Sequence, residues 1–140
     1  MHENSKKFVA VLNKKIELGR LMNALGHMTA GLAGGHGIGD QMEFLQYIDA
    51  DSGVHPNISN FPFIVLSADN SSQIRKVRNE AIARGVKFTD FTNTMIVGTS
   101  AEQLESTKQT KEENFEYFGI CMFGNAEVLK EFTSKFSLFK

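Results

Sequence analysis

Three polar side chains that suit ligand binding lie at helical spacing near the start of the chain. Arg20, Asn23 and His27 occupy positions i, i+3 and i+7, so a helix brings them to one face. An arginine binds anions, an amide orients polar groups, and an imidazole donates a hydrogen bond or transfers a proton. Ala24 and Gly31 beside them leave room for a ligand. We predict that this face binds a small anionic or carbonyl ligand, and close packing on a neighbouring element is the alternative.

A second polar cluster, residues 88–94, lies at the end of a predicted strand at residues 86–91. Strand ends are where open α/β sheets usually carry their ligand groups. Asp90 would pair with His27 or accept a proton, and Thr92 or Thr94 would offer a hydroxyl to the substrate. The alternative is that these residues satisfy turn amides. The candidate catalytic residues are therefore His27, Asp90 and Thr94, and the candidate ligand-binding residues are Arg20, Asn23 and Thr92.

A possible metal site around Asp49, Asp51 and His55 fails a simple test. A calcium loop that starts at Asp49 needs glycine at its sixth position and glutamate at its twelfth. Those positions hold Val54 and Asn60. We expect a solvent-facing turn here, and we predict neither a metal nor a cofactor.

Composition limits the class of protein. The 140 residues are 41% hydrophobic, which suits one domain spanning residues 1–140. A net charge of −1 provides no overall field for nucleic acid or anionic membranes. Cys121 is the one cysteine, lies in a dense apolar run, and is predicted to be buried and inert. The apolar run at residues 8–12 is too short for a signal peptide or membrane span, so we expect a cytoplasmic protein.

The order of elements predicts a layered α/β domain. Short apolar runs predict strands at residues 7–13, 42–48, 61–66, 86–91 and 115–123. Between and after them, helices are predicted from the first strand to about residue 31, and at residues 70–85, 100–111 and 125–132. Their predicted N-caps are Asn70, Ser100 and Asn125, and Gly85 is the predicted end of the second helix. Residues 115–123 are apolar at both odd and even positions, which predicts a strand covered on both faces. The glycine-rich residues 31–39 read as a flexible loop and residues 55–60 as irregular. Strands that alternate with helices favour a mixed sheet with helices on both faces.

These residues also resemble two families. Strand residues 8–13, then Gly19, His27, Asp90 and Thr94, resemble the layout of type 2 peptidyl-tRNA hydrolases. Residues 23–27, 47–51 and 135–138 resemble an uncharacterised domain-of-unknown-function family that shares this fold. The resemblance implies a three-layer domain with a mainly four-stranded mixed sheet, often assembled as a homodimer.

The match to the hydrolases is incomplete at the site. Arg20 stands where that family has lysine, Ala24 where it has glutamine, and Asn93 where it has arginine. Residues 34–60 form a longer segment than that fold needs, and we expect this segment to cover the site. The leading hypothesis is a ligand-binding α/β protein. The alternatives are a hydrolase of peptidyl-tRNA or another ester or amide, with His27 or Asp90 as the base, and a homo-oligomeric interaction module.

Overall fold

The computed structural model describes residues 5–140. The strands of these residues are β1 (Lys6–Asn13), β2 (Phe44–Ile48), β3 (Val54–Ser59), β4 (Phe63–Ala68), β5 (Lys87–Thr92), β6 (Tyr117–Asn125) and β7 (Ser137–Leu138). The helices are α1 (Leu18–Gly35), α2 (Ser71–Ala83), α3 (Ser100–Lys108) and α4 (Ala126–Thr133). Short 3-10 turns occupy Gly39–Gln41, Asn93–Ile96 and Glu112–Asn114.

The main sheet is mixed and has the strand order β5-β6-β1-β4-β7. β1 lies at its centre, parallel to β4 and antiparallel to β6. Four long strands form most of the sheet, and the two-residue β7, which the sequence did not predict, pairs with β4 at one edge. β6 is buried along residues 117–123, which confirms the prediction of a strand covered on both faces. The opposite edge of the sheet is β5.

Alternate residues of β1 divide between two cores. Phe8, Ala10 and Leu12 pack beneath α1, whereas Val9 and Val11 face α2 and α4. This division follows from the period of two in a strand, which sends successive side chains to opposite faces. The result is a three-layer arrangement with α1 on one face and α2 and α4 on the other, so the predicted α/β class is confirmed.

Helix α1 continues to Gly35, whereas its glycines predicted an end at about residue 31. Leu32 is fully buried against the sheet, and this packing offsets the weak helix propensity of the glycines around it. Ala24 is also fully buried, and a Cβ atom at Gly31 would lie 3.9 Å from Thr89 Cγ2. The prediction that these two small residues share the open face with Arg20 is therefore wrong, because both face the sheet. Leu18, in the first turn of α1, is 58% exposed.

The helix termini follow their predicted caps in two cases. Asn70 Oδ1 accepts from the Gln73 amide at the start of α2, and Asn125 Oδ1 accepts from two amides at the start of α4. Gly85 closes α2 with a φ of +66°, a conformation that favours glycine. Helix α3 is capped by Thr99, one residue earlier than predicted. Of the helices in residues 5–140, none combines the length and apolar character that a membrane span requires.

Residues 55–60 are not irregular but largely belong to strand β3. β3 pairs with β2 in a separate two-stranded sheet, joined by the predicted turn at residues 49–53. Asp49 organises this turn, because its Oδ1 accepts from the amides of Asp51 and Gly53, and its Oδ2 lies 2.9 Å from His55 Nε2. The hydrogen bond with His55 is the main cause that lowers the pKa of Asp49. We call β2, β3 and this turn the arm.

Candidate functional site

A cleft lies beside the polar face of α1. Arg20, Asn23 and His27 line one part of it, with a volume of about 360 Å³, and the opposite wall carries Met95 and Gln103. The predicted grouping of the three helical residues is thus confirmed. Their side chains are exposed because the core contacts of α1 lie on an adjacent face, at Leu21, Ala24, Met28 and Leu32.

The cleft continues along the edge of the main sheet. A second part, of about 430 Å³, also includes His27, Met95 and Gln103, and it extends to Thr89, Phe91 and Ser100. Because both parts contain the same three residues, they form one groove with His27 near its middle. Each part has a volume within the range typical of small-molecule sites, about 300–1,000 Å³.

Strand parity separates Asp90 from His27. Thr89 faces α1, where its hydroxyl donates to the carbonyl oxygen of Met28 at 2.9 Å. Asp90 is the next residue and points to the other face, where its Oδ2 accepts from Arg78 Nε at 2.8 Å. Asp90 reaches the rim of the cleft, since β5 is an edge strand. The predicted hydrogen bond between His27 and Asp90 is nevertheless wrong, because this carboxylate binds Arg78 of α2 instead.

The predicted threonines form a buried chain of hydroxyl groups. Thr107 Oγ1 donates to the carbonyl oxygen of Gln103 at 2.8 Å, so it must accept from Thr94 Oγ1, which lies 2.7 Å away. Thr94 therefore accepts from Thr92, at 2.7 Å. Thr92 and Thr94 are 2% and 5% exposed.

This hydroxyl chain corrects the role expected of Thr92 and Thr94. Both protons are donated within the protein, so neither hydroxyl is free to donate to a ligand. Instead, their hydrogen bonds connect the turn after β5 to Thr107 on α3. This connection positions Gln103 and Ser100, both on α3, at the wall of the cleft.

Sequence reasoning missed most of the wall opposite α1. Ser100 and Gln103 were interpreted only as the start of a helix. They also face the cleft because the fold places α3 across from α1, and the sequence alone contains no sign of this placement. Thr89 belonged to the predicted polar cluster but was given no role, and Met95 carried no pattern that marked it as a site residue. Arg78 was not predicted to contribute, yet its guanidinium lies 5.7 Å from the Phe88 ring centroid and binds Asp90.

Four polar side chains of the cleft lack protein partners. Within residues 5–140, no hydrogen bond or ion pair engages the side chains of Arg20, Asn23, Ser100 or Gln103. His27 has one ring neighbour, Phe91, with the centroids 6.2 Å apart. The nearby carboxylate of Asp90 is already neutralised by Arg78. The cleft therefore presents one uncompensated cation together with several free donors and acceptors.

Other candidate groups have ordinary structural roles. Cys121 is fully buried, and burial raises the pKa of its thiol to about 11, which confirms the prediction of a buried thiol. Residues 34–60 contribute no side chain to either part of the cleft, contrary to the expectation that they cover it. The structure contains no cluster of three or more metal-binding side chains in residues 5–140.

The fold and the cleft define a small three-layer α/β protein with a groove between its first helix and the free edge of its sheet. A family model described as a protein of unknown function, DUF2000, matches residues 6–140. The chain belongs to the DUF2000 family.

A solved structure supports the same fold. The protein of unknown function Atu0240 from Agrobacterium tumefaciens strain C58 superposes with a TM-score of 0.82 at 15% sequence identity, over 99% of this chain and 100% of that one. At this identity the similarity concerns the fold alone. No curated protein matches the chain.

Proposed function

We propose that the protein binds a small ligand carrying a carboxylate, phosphate or polarised carbonyl group in the cleft beside α1. The observation that carries this proposal is the set of unpaired polar side chains on facing walls, with Arg20 as the uncompensated cation. A guanidinium presents a fork of N–H donors that matches a carboxylate or phosphate in two-point contact. Asn23 and Gln103 would orient the ligand from opposite sides.

The walls also limit the rest of the ligand. Met28, Phe91 and Met95 line the part of the cleft that runs along β5. Apolar walls combined with a few polar groups are typical of small-molecule sites. The ligand that fits best therefore has an anionic head near Arg20 and a short apolar portion that reaches past His27 towards Phe91.

Removing the charge of Arg20 should weaken binding by about 10- to 100-fold, because a charge-assisted hydrogen bond contributes about 1.5–3 kcal/mol. The measurement is a titration followed by amide chemical shifts, with inorganic phosphate and N-acetylated amino acids as probes. Arg20→Gln is compared with Lys76→Gln, which removes one positive charge on the opposite face of the sheet. Equal affinities of Arg20→Gln and the wild type would refute the proposed anion site.

Hydrolysis of an ester or amide is a second candidate, and one observation favours it. The imidazole of His27 lies at the middle of the cleft beside a cationic group, as a general base and an oxyanion partner would. However, His27 lacks the carboxylate that usually orients a catalytic imidazole. We therefore expect binding without turnover.

Incubation with purified peptidyl-tRNA should release no peptide above the rate without protein. If the wild type does release peptide, and His27→Gln slows this release by about 100-fold or more, hydrolysis replaces simple binding as the function. Affinity for the nucleic acid should then also fall steeply with salt, because phosphate contacts release counterions. The same assay with Lys76→Gln controls for nonspecific loss of charge.

A further inference from the structure

We infer that the arm of one chain inserts into an apolar groove on a second copy of the same chain. The first observation is the exposure of the arm. Each residue of β2 and β3 is exposed, and the large apolar side chains among them are 40–58% exposed. These side chains are Phe44, Leu45, Tyr47, Ile48, Val54 and Ile58.

Both faces of the arm are apolar. Phe44 and Ile48 share one face by the period of two along β2, and Val54 joins them because it lies opposite Ile48. Leu45 and Tyr47 occupy the other face, and Ile58 joins them opposite Leu45. The register shifts by one residue of β3 between Leu45 and Tyr47, which places Val54 and Ile58 on different faces. A solvent-facing hairpin usually carries polar side chains on at least one face, so a ribbon with two apolar faces indicates contact with a surface outside its own chain.

The arm is not covered by its own chain. In the described part of the chain, β2 and β3 pair only with each other and pack extensively against no other element. An isolated two-stranded hairpin is marginally stable in water. The large apolar residues of the arm therefore lie in an element that becomes stable only when another protein surface covers it.

The chain also carries an open apolar groove on its surface. Met22, Leu25, Gly26, Thr29 and Ala30 of α1 and Phe63 of β4 line a cavity of about 560 Å³. A Cβ atom at Gly26 would meet no heavy atom within 4 Å. The small residues Gly26 and Ala30 thus form a depression between the larger side chains of Met22 and Phe63, where a projecting side chain fits.

Area and charge identify a second copy as the occupant. The arm exposes roughly 600 Å² of apolar side chain, most of the area of about 800 Å² that each partner contributes to a standard interface. Residues 42–63 contain Glu43, Asp49 and Asp51 and no lysine or arginine. Helix α1 has Arg20 as its one charged residue, and Lys14, Lys15 and Glu17 precede it, with Lys14 paired to Asp69. Lys15 and Arg20 against Glu17 leave this helix start with a net positive charge, which complements the acidic arm and allows a reciprocal, twofold interface.

The groove is a different surface from the cleft of the proposed function. Asn23 and His27 face the cleft, whereas Met22 and Gly26 face the groove. The two surfaces lie on opposite sides of the exposed half of α1. The two proposals therefore concern different residues, and failure of one has no consequence for the other.

Light scattering after size-exclusion chromatography should give the wild type twice the mass of one chain at micromolar concentration. Ile48→Asp on the arm and Gly26→Leu in the groove should each weaken self-association at least tenfold. The matched controls are Leu104→Asp, at an exposed residue of α3, and Gly34→Leu, at an open helical position. Both controls should remain dimeric, and circular dichroism verifies that all four variants are folded.

Mixing the two weakened variants distinguishes arm-in-groove contact from arm-to-arm pairing. A heterodimer of Ile48→Asp and Gly26→Leu keeps one unchanged arm facing one unchanged groove. The mixture should therefore associate more strongly than either variant alone. A monomeric wild type, a Gly26→Leu variant that dimerises like the wild type, or a mixture without any gain would each overturn the inference.

Discussion

Replacing Gly119 by alanine is expected to lower the free energy of unfolding by about 2 kcal/mol, because β6 has no room for a side chain there. A Cβ atom at this position would lie 2.7 Å from Leu12 Cδ2, 3.1 Å from Met28 Cε and 3.1 Å from the carbonyl oxygen of Val11. The first two neighbours are buried side chains, and the third is backbone of the central strand. Relief therefore requires the buried ends of Leu12 and Met28 to repack and β6 to shift against β1.

Urea denaturation checks this expectation, and thermal unfolding should show a fall in Tm of roughly 6–8 °C. Gly34→Ala is the matched control, since a Cβ atom there meets nothing within 4 Å. That substitution should raise the free energy of unfolding by about 0.5 kcal/mol, because alanine favours the helix. If Gly119→Ala unfolded at the same urea concentration as the wild type, the close packing of α1 on β6 would be disproved.

The close approach at Gly119 is one part of how α1 serves three surfaces. Leu21, Met28 and Leu32 form its core face, Arg20 and His27 lie on the cleft, and Gly26 lies in the apolar groove. Because the core face, the cleft and the apolar groove together take up most of the helix surface, few positions are left for the charged residues of an ordinary solvent-facing helix. This explains why Arg20 is its one charged residue.

Local patterns were sufficient to predict most elements. The apolar period of α2, with Asn70 before it and Gly85 after it, defines a helix from short-range chemistry alone. β6 was recognised because both its odd and even residues are apolar, and this pattern requires cover on both faces. The prediction of an α/β domain with helices on both sides of a mixed sheet followed from these signals.

The failed pairing of His27 with Asp90 shows what such patterns do not contain. Phe88 and Phe91 are both apolar but lie three residues apart, so they point to opposite faces of β5. The alternation of apolar and polar residues along β5 therefore did not show whether Asp90 faces α1 or α2. The decision depends on the register of β5 against β6, where Asp90 lies opposite Ile120 beneath α2.

β3 was missed for a similar reason. Its residues include His55, Pro56 and Asn57, none of which is typical of a strand interior. The segment is extended because it pairs with β2 across an ordered turn, and that pairing is a tertiary fact. The same holds for Thr107, whose hydroxyl determines what Thr92 and Thr94 can donate although it lies 13 residues beyond Thr94.

Raising the pH from 9 to 12 is expected to remove about 5 kcal/mol of folding stability. Burial raises the pKa of Cys121 from 9.0 to about 11. Burial, followed by a hydrogen bond from the phenol to Glu112 Oε2 at 2.8 Å, raises the pKa of Tyr117 from 10.0 to about 12. The unfolded chain ionises both groups near their ordinary values, while the folded chain keeps both protons. Ionisation therefore stabilises the unfolded state, and stability falls until the pH passes the folded pKa values.

Each shift of about two units corresponds to about 2.7 kcal/mol, and their sum is comparable to the total stability of many domains. Urea unfolding at several pH values between 7 and 12 measures the loss. Tyr117→Phe should abolish the part that develops between pH 10 and 12, whereas Cys121→Ala should abolish the part between pH 9 and 11. Tyr47→Phe is the matched control, because Tyr47 is exposed on the arm and should leave the loss unchanged. If Tyr117→Phe lost as much stability above pH 10 as the wild type, ionisation of the buried phenol would not be the cause, and alkaline unfolding would have to originate elsewhere in the chain.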